Sequence, residues 1–376
     1  MKGFLVSLAL LAGAAGAAQS PTALVDSIDA RSKAFFESSK TPGLAVGVWK
    51  DGAVVYSKGF GVAVVGGALV TPRTIFHTAS ISKTVVASAV MQLVQAGKVR
   101  LDDPVTTYVP YFTLKDPRST SITVRQLLTH TAGMPDVDDY EWNKPRYDDQ
   151  ALERWIRGLK DSTMRWAPGQ SWAYSNIGFE LLADLVAIVS KQPFESYVQS
   201  AIFRPAGMRH STFLMTDVDS ANLSTGYQVG RDGVKNLGFP YNRRHAGSST
   251  FNSSVEDMLR YGAMHAGRGV IDGKRVIPAA AYDSMWTAQR DITSNFAMVR
   301  MMTRGLAHPL SGVEMGLGWF IMDLAGRRVL NHDGEDDGYS SSLFISPDQR
   351  TVVVVLANSE ANPELLAFAL IDGLLR

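Results

Sequence analysis

Period-two hydrophobicity marks both ends of this 376-residue chain and is missing from its middle. Residues 44–49 and 53–60 are β-prone runs joined by Lys50-Asp51-Gly52, a hairpin signal because glycine readily takes positive φ. Near the other end, residues 316–323, 327–331, 339–346 and 351–358 read as four consecutive antiparallel strands, followed by a closing helix over 363–375. Strands at both ends around a helical insert imply that the two ends share one sheet. The expected class is therefore α/β of the α+β type. An antiparallel sheet is built from N- and C-terminal segments (about 22–75 and 285–376) and flanked by helices, and a mostly helical subdomain (about 76–284) is inserted.

Within that frame, Leu24, Ile28, Phe35 and Phe36 give a first amphipathic helix after Pro21, ending before Pro42-Gly43. A further short strand is expected somewhere over 62–70. Thr123-Val124-Arg125-Gln126 has the spacing of a capping box. Helices are expected over 148–160, 175–189 and 194–203, and another is capped by Ser254 and stopped by Gly267. Residues 208–249 are polar and turn-rich. No internal repeat or low-complexity linker divides the chain, so residues 22–376 read as one catalytic unit with two subdomains.

Composition narrows the function. Hydrophobic residues make up 45% of the chain and the formal net charge is +1, with no long basic run, so nucleic acid is not an expected partner. Met1-Lys2-Gly3, an apolar run from Phe4 to Ala12, and small residues at Gly16, Ala17 and Ala18 have the form of a signal peptide over 1–18. No membrane span is expected once it is removed, and a periplasmic or secreted location follows. The chain has no cysteine, so its stability must come from its core without disulfides. Neither a cofactor nor a metal site is expected. His77 and His130 read as structural hydrogen-bonders, since metal-ligand spacing is absent.

Ser80 and Lys83 form a Ser-x-x-Lys at the start of a helix whose apolar stripe is Val86, Ala89, Val90, Leu93 and Val94. Three residues put the two side chains on one face, about one turn apart. A serine hydroxyl is a poor nucleophile at neutral pH, and an amine kept neutral by desolvation is able to take its proton. Taken alone, the pair is also what an N-capping serine and a solvated lysine look like. Tyr174-Ser175-Asn176 precedes another helix, with a hydroxyl suited to acid-base work and an amide able to orient a lysine or hold a carbonyl. Either residue is also an ordinary packing or capping choice. His-x-Gly occurs at His245, His265 and His332, and only His332 falls in the C-terminal sheet. There His332 and Gly334 share a strand face, and glycine lets a substrate backbone approach the strand edge.

These motifs in this order, together with Leu127-Leu128-Thr129-His130-Thr131-Ala132-Gly133-Met134-Pro135 and Gly316-Leu317-Gly318-Trp319, resemble the serine β-lactamase-like family. The branch is that of class C β-lactamases, DD-peptidases, D-aminopeptidases and related esterases. The resemblance implies that Ser80 is acylated, that Lys83 and Tyr174 share the proton transfers, and that Asn176 supports Lys83 and the substrate. It places His332 where β-lactamases carry the lysine of Lys-Thr-Gly. The backbone N–H groups of Ser80 and Glu335 would form the oxyanion hole.

The departures bear on specificity. Histidine replaces that lysine, and Asp333, Glu335, Asp336 and Asp337 follow within five positions. If these acids border the cleft, they favour a substrate that is neutral or carries an amine at that end; they are equally ordinary turn residues facing water. The expected function is an exported serine hydrolase acting on a small-molecule or short-peptide substrate, as an esterase or D-peptide amide hydrolase. A β-lactamase or DD-carboxypeptidase, or a non-catalytic penicillin-binding or scaffold protein, are the alternatives.

Overall fold

The computed structural model describes residues 20–375, and the signal-peptide expectation for 1–18 lies outside them. Helix α1 (Pro21–Ser39) leads into the hairpin of β1 (Gly43–Lys50) and β2 (Ala53–Gly61). Asp51 and Gly52 form its two-residue turn with φ of 51° and 101°, the backbone twist that a tight hairpin needs. The remaining strands of the main sheet come from the far end of the chain. They are β3 (Arg290–Asp291), β4 (Leu310–Met315), β5 (Phe320–Leu324), β6 (Arg327–Asp336), β7 (Tyr339–Ser346) and β8 (Thr351–Ala357). Their order is β2-β1-β8-β7-β6-β5-β4-β3, with neighbours antiparallel throughout. The expected sheet shared between the chain ends is thus present, joined where β1 pairs with β8.

β8 shows why this sheet needs cover on both sides. Every residue of it is buried. Val352, Val354 and Leu356 enter one apolar core, whereas Val353, Val355 and Ala357 enter the other. The first core holds α2 (Ser82–Gln95), α3 (Asn176–Ser190) and α4 (Val255–Ala266); the second is closed by α1 and α5 (Pro363–Leu374). Gly47 and Gly262 let sheet and α4 approach, since an added Cβ would come within 2.7 Å of Val255 in one case and 2.3 Å of Val352 in the other.

The capping box at Thr123 and the Ser254 cap both form, Ser254 Oγ accepting from the Asp257 N–H at 3.3 Å. Elsewhere the pattern and the structure part. Residues 62–70 add one bridge, Val62 to Leu69, and no strand. β4 was not anticipated because a bulge between Leu310 and Gly312 breaks its alternation. The polar stretch 208–249 hides a hairpin, Gly226–Gly230 with Gly233–Gly238, whose second strand is almost wholly exposed and so carries no apolar signal. The strand expected over 316–323 begins only at Phe320, after a turn in which Gly318 takes φ 73°. That expected over 327–331 continues to Asp336, so one unbroken strand carries His332, Asp333, Gly334, Glu335 and Asp336.

Candidate active site

Ser80 lies in a 3-10 turn, Ala79–Ile81, that feeds directly into α2. Ala79 is held at φ 47°, a left-handed conformation that costs a non-glycine residue roughly 1–2 kcal/mol. Several bonds from outside the turn hold it there. Both the N–H and the Oγ of Thr78 donate to the Phe251 carbonyl at 2.8 Å. Ser82 Oγ donates to the Ala79 carbonyl at 2.7 Å while accepting from the Phe251 N–H at 3.1 Å. The Thr78 carbonyl accepts from Ser341 Oγ of β7 at 2.8 Å, tying the turn to the sheet.

At the second residue of α2, one turn past Ser80, Lys83 is completely enclosed. Its Nζ lies 2.9 Å from Ser80 Oγ and 2.9 Å from the Ser248 carbonyl. Burial pushes the ammonium pKa down to about 7, against the opposing pull of Asp336, Asp136 and Glu180. The amine is therefore about half neutral at pH 7, whereas a solvated lysine would be neutral in roughly one molecule in a few thousand.

Tyr174 forms the wall opposite. Lys83 Nζ sits 4.8 Å from its ring centroid, and His130 stacks on the same ring at 4.4 Å. Burial raises the phenol pKa well above its usual value, with a hydrogen bond from Ser80 acting the other way, so the hydroxyl stays protonated at neutral pH. His130 accepts the Ser175 N–H on Nδ1 at 3.1 Å, which leaves its proton on Nε2. Burial first, then the nearby Lys83 and His332, depress its pKa, so the ring is neutral. His130 takes φ 55° to reach this place. It does hydrogen-bond as expected, but its larger effect is to fix the Tyr174 ring.

Asn176 opens α3 behind the Ser175 cap. Its N–H and Nδ2 both donate to Asp136 Oδ1, at 2.8 and 3.1 Å. The expected contact with Lys83 is replaced: the lysine takes the Ser248 carbonyl as its second partner, and Asn176 Oδ1 is buried without a protein partner.

β6 supplies the third wall. Gly334 faces Ser80, since a Cβ there would lie 2.3 Å from the Thr78 carbonyl oxygen and 2.8 Å from Ser80 N. His332, two residues back on the same face, is buried and lies 6.4 Å from Tyr174 between ring centroids. Its Nδ1–H donates to the Asp333 carbonyl at 2.7 Å, leaving Nε2 unprotonated and without a partner. Burial first, then Lys83, hold its pKa down to about 3.

Alternation along β6 turns Asp333 and Glu335 away from this face. Asp333 Oδ1 accepts from Asn331 at 3.0 Å and from Ser342 at 2.5 Å, and Glu335 is exposed on the side of Glu360 and Glu364. Asp336 returns to the Gly334 face, where it is paired with His77 Nε2 at 2.8 Å, and Asp337 is exposed at the turn. Of the acidic run, only the Asp336 carboxylate therefore lies on the site face, and there it is tied to His77. Glu335 belongs to the site by its backbone position next to Gly334.

Ser80, Lys83, Tyr174, His332 and Gly334 thus converge, and Asn176 borders them through Asp136. Three residues of the surroundings carried no motif: Asp136, Ser248 and Glu180. Glu180 was visible only as one of two acids, with Asp184, in the otherwise apolar sequence of α3, one turn past Asn176.

Comparison with known proteins agrees with this arrangement. The family model for beta-lactamase matches residues 28–372. Penicillin-binding protein 4 of Amycolatopsis lactamdurans is 28% identical over 330 residues, covering 84% of this chain and 81% of its own length. Protein flp of Staphylococcus aureus (strain MW2) is 27% identical over 334 residues, and the match spans 86% of this chain but only 61% of flp. Among solved structures, the octameric penicillin-binding protein homologue from Pyrococcus abyssi superimposes with a TM-score of 0.77 at 27% identity, over 93% of this chain and 77% of that one. A buried lysine on a serine-bearing turn, walled by a tyrosine and a glycine-containing strand edge, and a family match over nearly the whole length lead to one conclusion: the chain belongs to the beta-lactamase family of serine hydrolases.

Proposed function

We propose that the protein hydrolyses an ester or a D-peptide amide through an acyl-enzyme on Ser80. The observation that carries this reading is the 2.9 Å contact between Ser80 Oγ and an enclosed amine whose pKa lies near neutrality. Ser80 Oγ attacks the substrate carbonyl carbon and its proton passes to Lys83 Nζ. The oxyanion forms against the N–H groups of Ser80 and Glu335. As the tetrahedral species collapses, the leaving group departs with a proton from Tyr174, which recovers one from Lys83. Water then attacks the Ser80 ester, with Lys83 and Tyr174 again taking and returning the proton.

His332 supports the neutral-substrate preference. Its imidazole is uncharged and its only N–H is already spent on the Asp333 carbonyl, so it offers no cation to a substrate carboxylate. Of the acidic run, only Asp336, tied to His77, remains on the site face. The alternative activity, β-lactamase or DD-carboxypeptidase, draws on relatives named as penicillin-binding proteins. Export to the periplasm or beyond rests on residues 1–18 alone.

Intact-mass spectrometry after a fluorophosphonate and after penicillin separates these readings. We expect a stoichiometric fluorophosphonate adduct on Ser80, absent in Ser80→Ala, and faster turnover of short acyl esters or D-amino-acid amides than of a chromogenic cephalosporin. A persistent penicillin adduct without turnover would mark a penicillin-binding sensor, and no adduct with either reagent a scaffold.

A further inference from the structure

We propose that Glu180 is a positioning residue for the catalytic amine: through Ser248 it fixes the carbonyl that receives one Lys83 N–H, and so aims the amine's lone pair at Ser80. This rests on the acyl-enzyme reading above. A neutral amine has two N–H groups and one lone pair. With the Ser248 carbonyl at 2.9 Å holding one N–H, the lone pair is free to face Ser80 Oγ, also at 2.9 Å. Without that carbonyl, rotation about the Cε–Nζ bond would present an N–H to the serine as readily as the lone pair.

Ser248 is held against α3 at Glu180 itself. Its Oγ donates to Glu180 Oε1 at 2.8 Å, and its N–H donates to the His245 carbonyl at 3.0 Å. At Gly247 an added Cβ would lie 2.3 Å from the Phe179 carbonyl oxygen and 2.7 Å from Glu180 Cα, so the backbone rests directly on the helix. Glu180 accepts two further bonds, from His245 Nδ1 at 2.6 Å and Trp155 Nε1 at 2.5 Å. The His245 tautomer is set from behind, because Arg244 Nε donates to His245 Nε2 at 2.8 Å. A fully enclosed carboxylate is an expensive choice in a helix whose neighbours Phe179, Leu181 and Leu182 are apolar and buried. Packing alone does not call for it. A fixed acceptor for three donors at the back of the catalytic lysine does.

The charge of Glu180 adds a signature that a structural role would lack. The groups facing Lys83 are the carboxylates Asp336, Asp136 and Glu180, the neutral imidazoles His130 and His332, and the Tyr174 phenol. The three carboxylates favour the protonated amine. Removing one displaces the acid limb of the acylation rate to lower pH.

The test measures fluorophosphonate acylation from pH 5 to 9 for wild type, Glu180→Gln, Ser248→Ala and the double variant. It also follows the Lys83 titration by NMR of 13Cε-lysine, assigned with Lys83→Met. We expect Glu180→Gln to acylate roughly 10- to 100-fold more slowly with its acid limb at lower pH. Ser248→Ala should lose roughly tenfold with the limb in place, and the double variant should be no slower than Glu180→Gln, because both cut one link. Wild-type rates and an unmoved limb in both variants, or losses that multiply in the double, overturn the proposal. Should wild type itself take no label, the hydrolase reading fails; the NMR midpoint still decides, a fall in Glu180→Gln supporting the role of Glu180 and an unchanged midpoint refuting it. If Glu180→Gln does not fold, Ser248→Ala decides alone: a lowered rate supports the link and a wild-type rate refutes it.

Discussion

A lysine enclosed on every side, as Lys83 is, gives up its hydration, and its pKa falls from 10.5 to about 7 as the net of that penalty and the opposing pull of Asp336, Asp136 and Glu180. By linkage the depression corresponds to about 5 kcal/mol when the amine is protonated. Lys83→Met relieves it but leaves the Ser248 carbonyl without a donor, which returns roughly 1–3 kcal/mol. The variant should therefore be more stable than wild type by roughly 2–4 kcal/mol at pH 6. The sign with pH is definite. Between about 7 and 10.5 the unfolded chain binds the extra proton, so wild-type stability rises with pH and the advantage of the variant closes. Urea denaturation at pH 6 and pH 9.5 checks this, and a Lys83→Met protein less stable than wild type at both would contradict it. At this scale the sequence was readable where spacing encodes chemistry: Ser80 with Lys83, Tyr174 before a helix, His332 with Gly334. It was silent on Ser248, whose contribution is a backbone carbonyl that any residue possesses. The acidic run could be read either way because strand alternation and the His77 partner of Asp336 decide where each acid points, and neither follows from composition.

Among the elements, β6 does the most with the least tolerance. It pairs with β5 over residues 327–331 and with β7 over residues 330–336, while pressing Gly334 against the Ser80 turn. Gly334→Ala forces its Cβ to within 2.3 Å of the Thr78 carbonyl, a backbone atom that cannot step aside. The strand or the turn must shift by about 1 Å, and we expect roughly a hundredfold slower acylation with about 1–3 kcal/mol lost in stability. Acylation rate and melting temperature measured together would show it; an alanine variant as fast as wild type would mean that the β6 edge is not a wall of the site. β7 and β8 were legible because each is a continuous buried run. β4 and the hairpin Gly226–Gly230 with Gly233–Gly238 were not, the first because its bulge breaks the period and the second because exposed strands need no apolar alternation.

The whole molecule is closed by a strand from near its end. β8 lies between β1 and β7, so the N-terminal hairpin reaches the rest of the sheet only through residues 351–357. A chain ending at residue 350 would leave β1 and β2 an isolated hairpin and strip α5 from the second core. It should lose cooperative urea unfolding, and a sharp wild-type-like transition would contradict the closure. The same joining assembles the candidate site, because Ser80 and Lys83 come from the first quarter of the chain and His332 and Gly334 from its last. The central claim, that a neutral Lys83 takes the Ser80 proton, is tested most directly by the second-order rate of fluorophosphonate acylation across pH. The account predicts a rate that rises through a midpoint near pH 7 and an almost complete loss in Lys83→Met. A flat profile, or a Lys83→Met protein labelled at the wild-type rate, would contradict it.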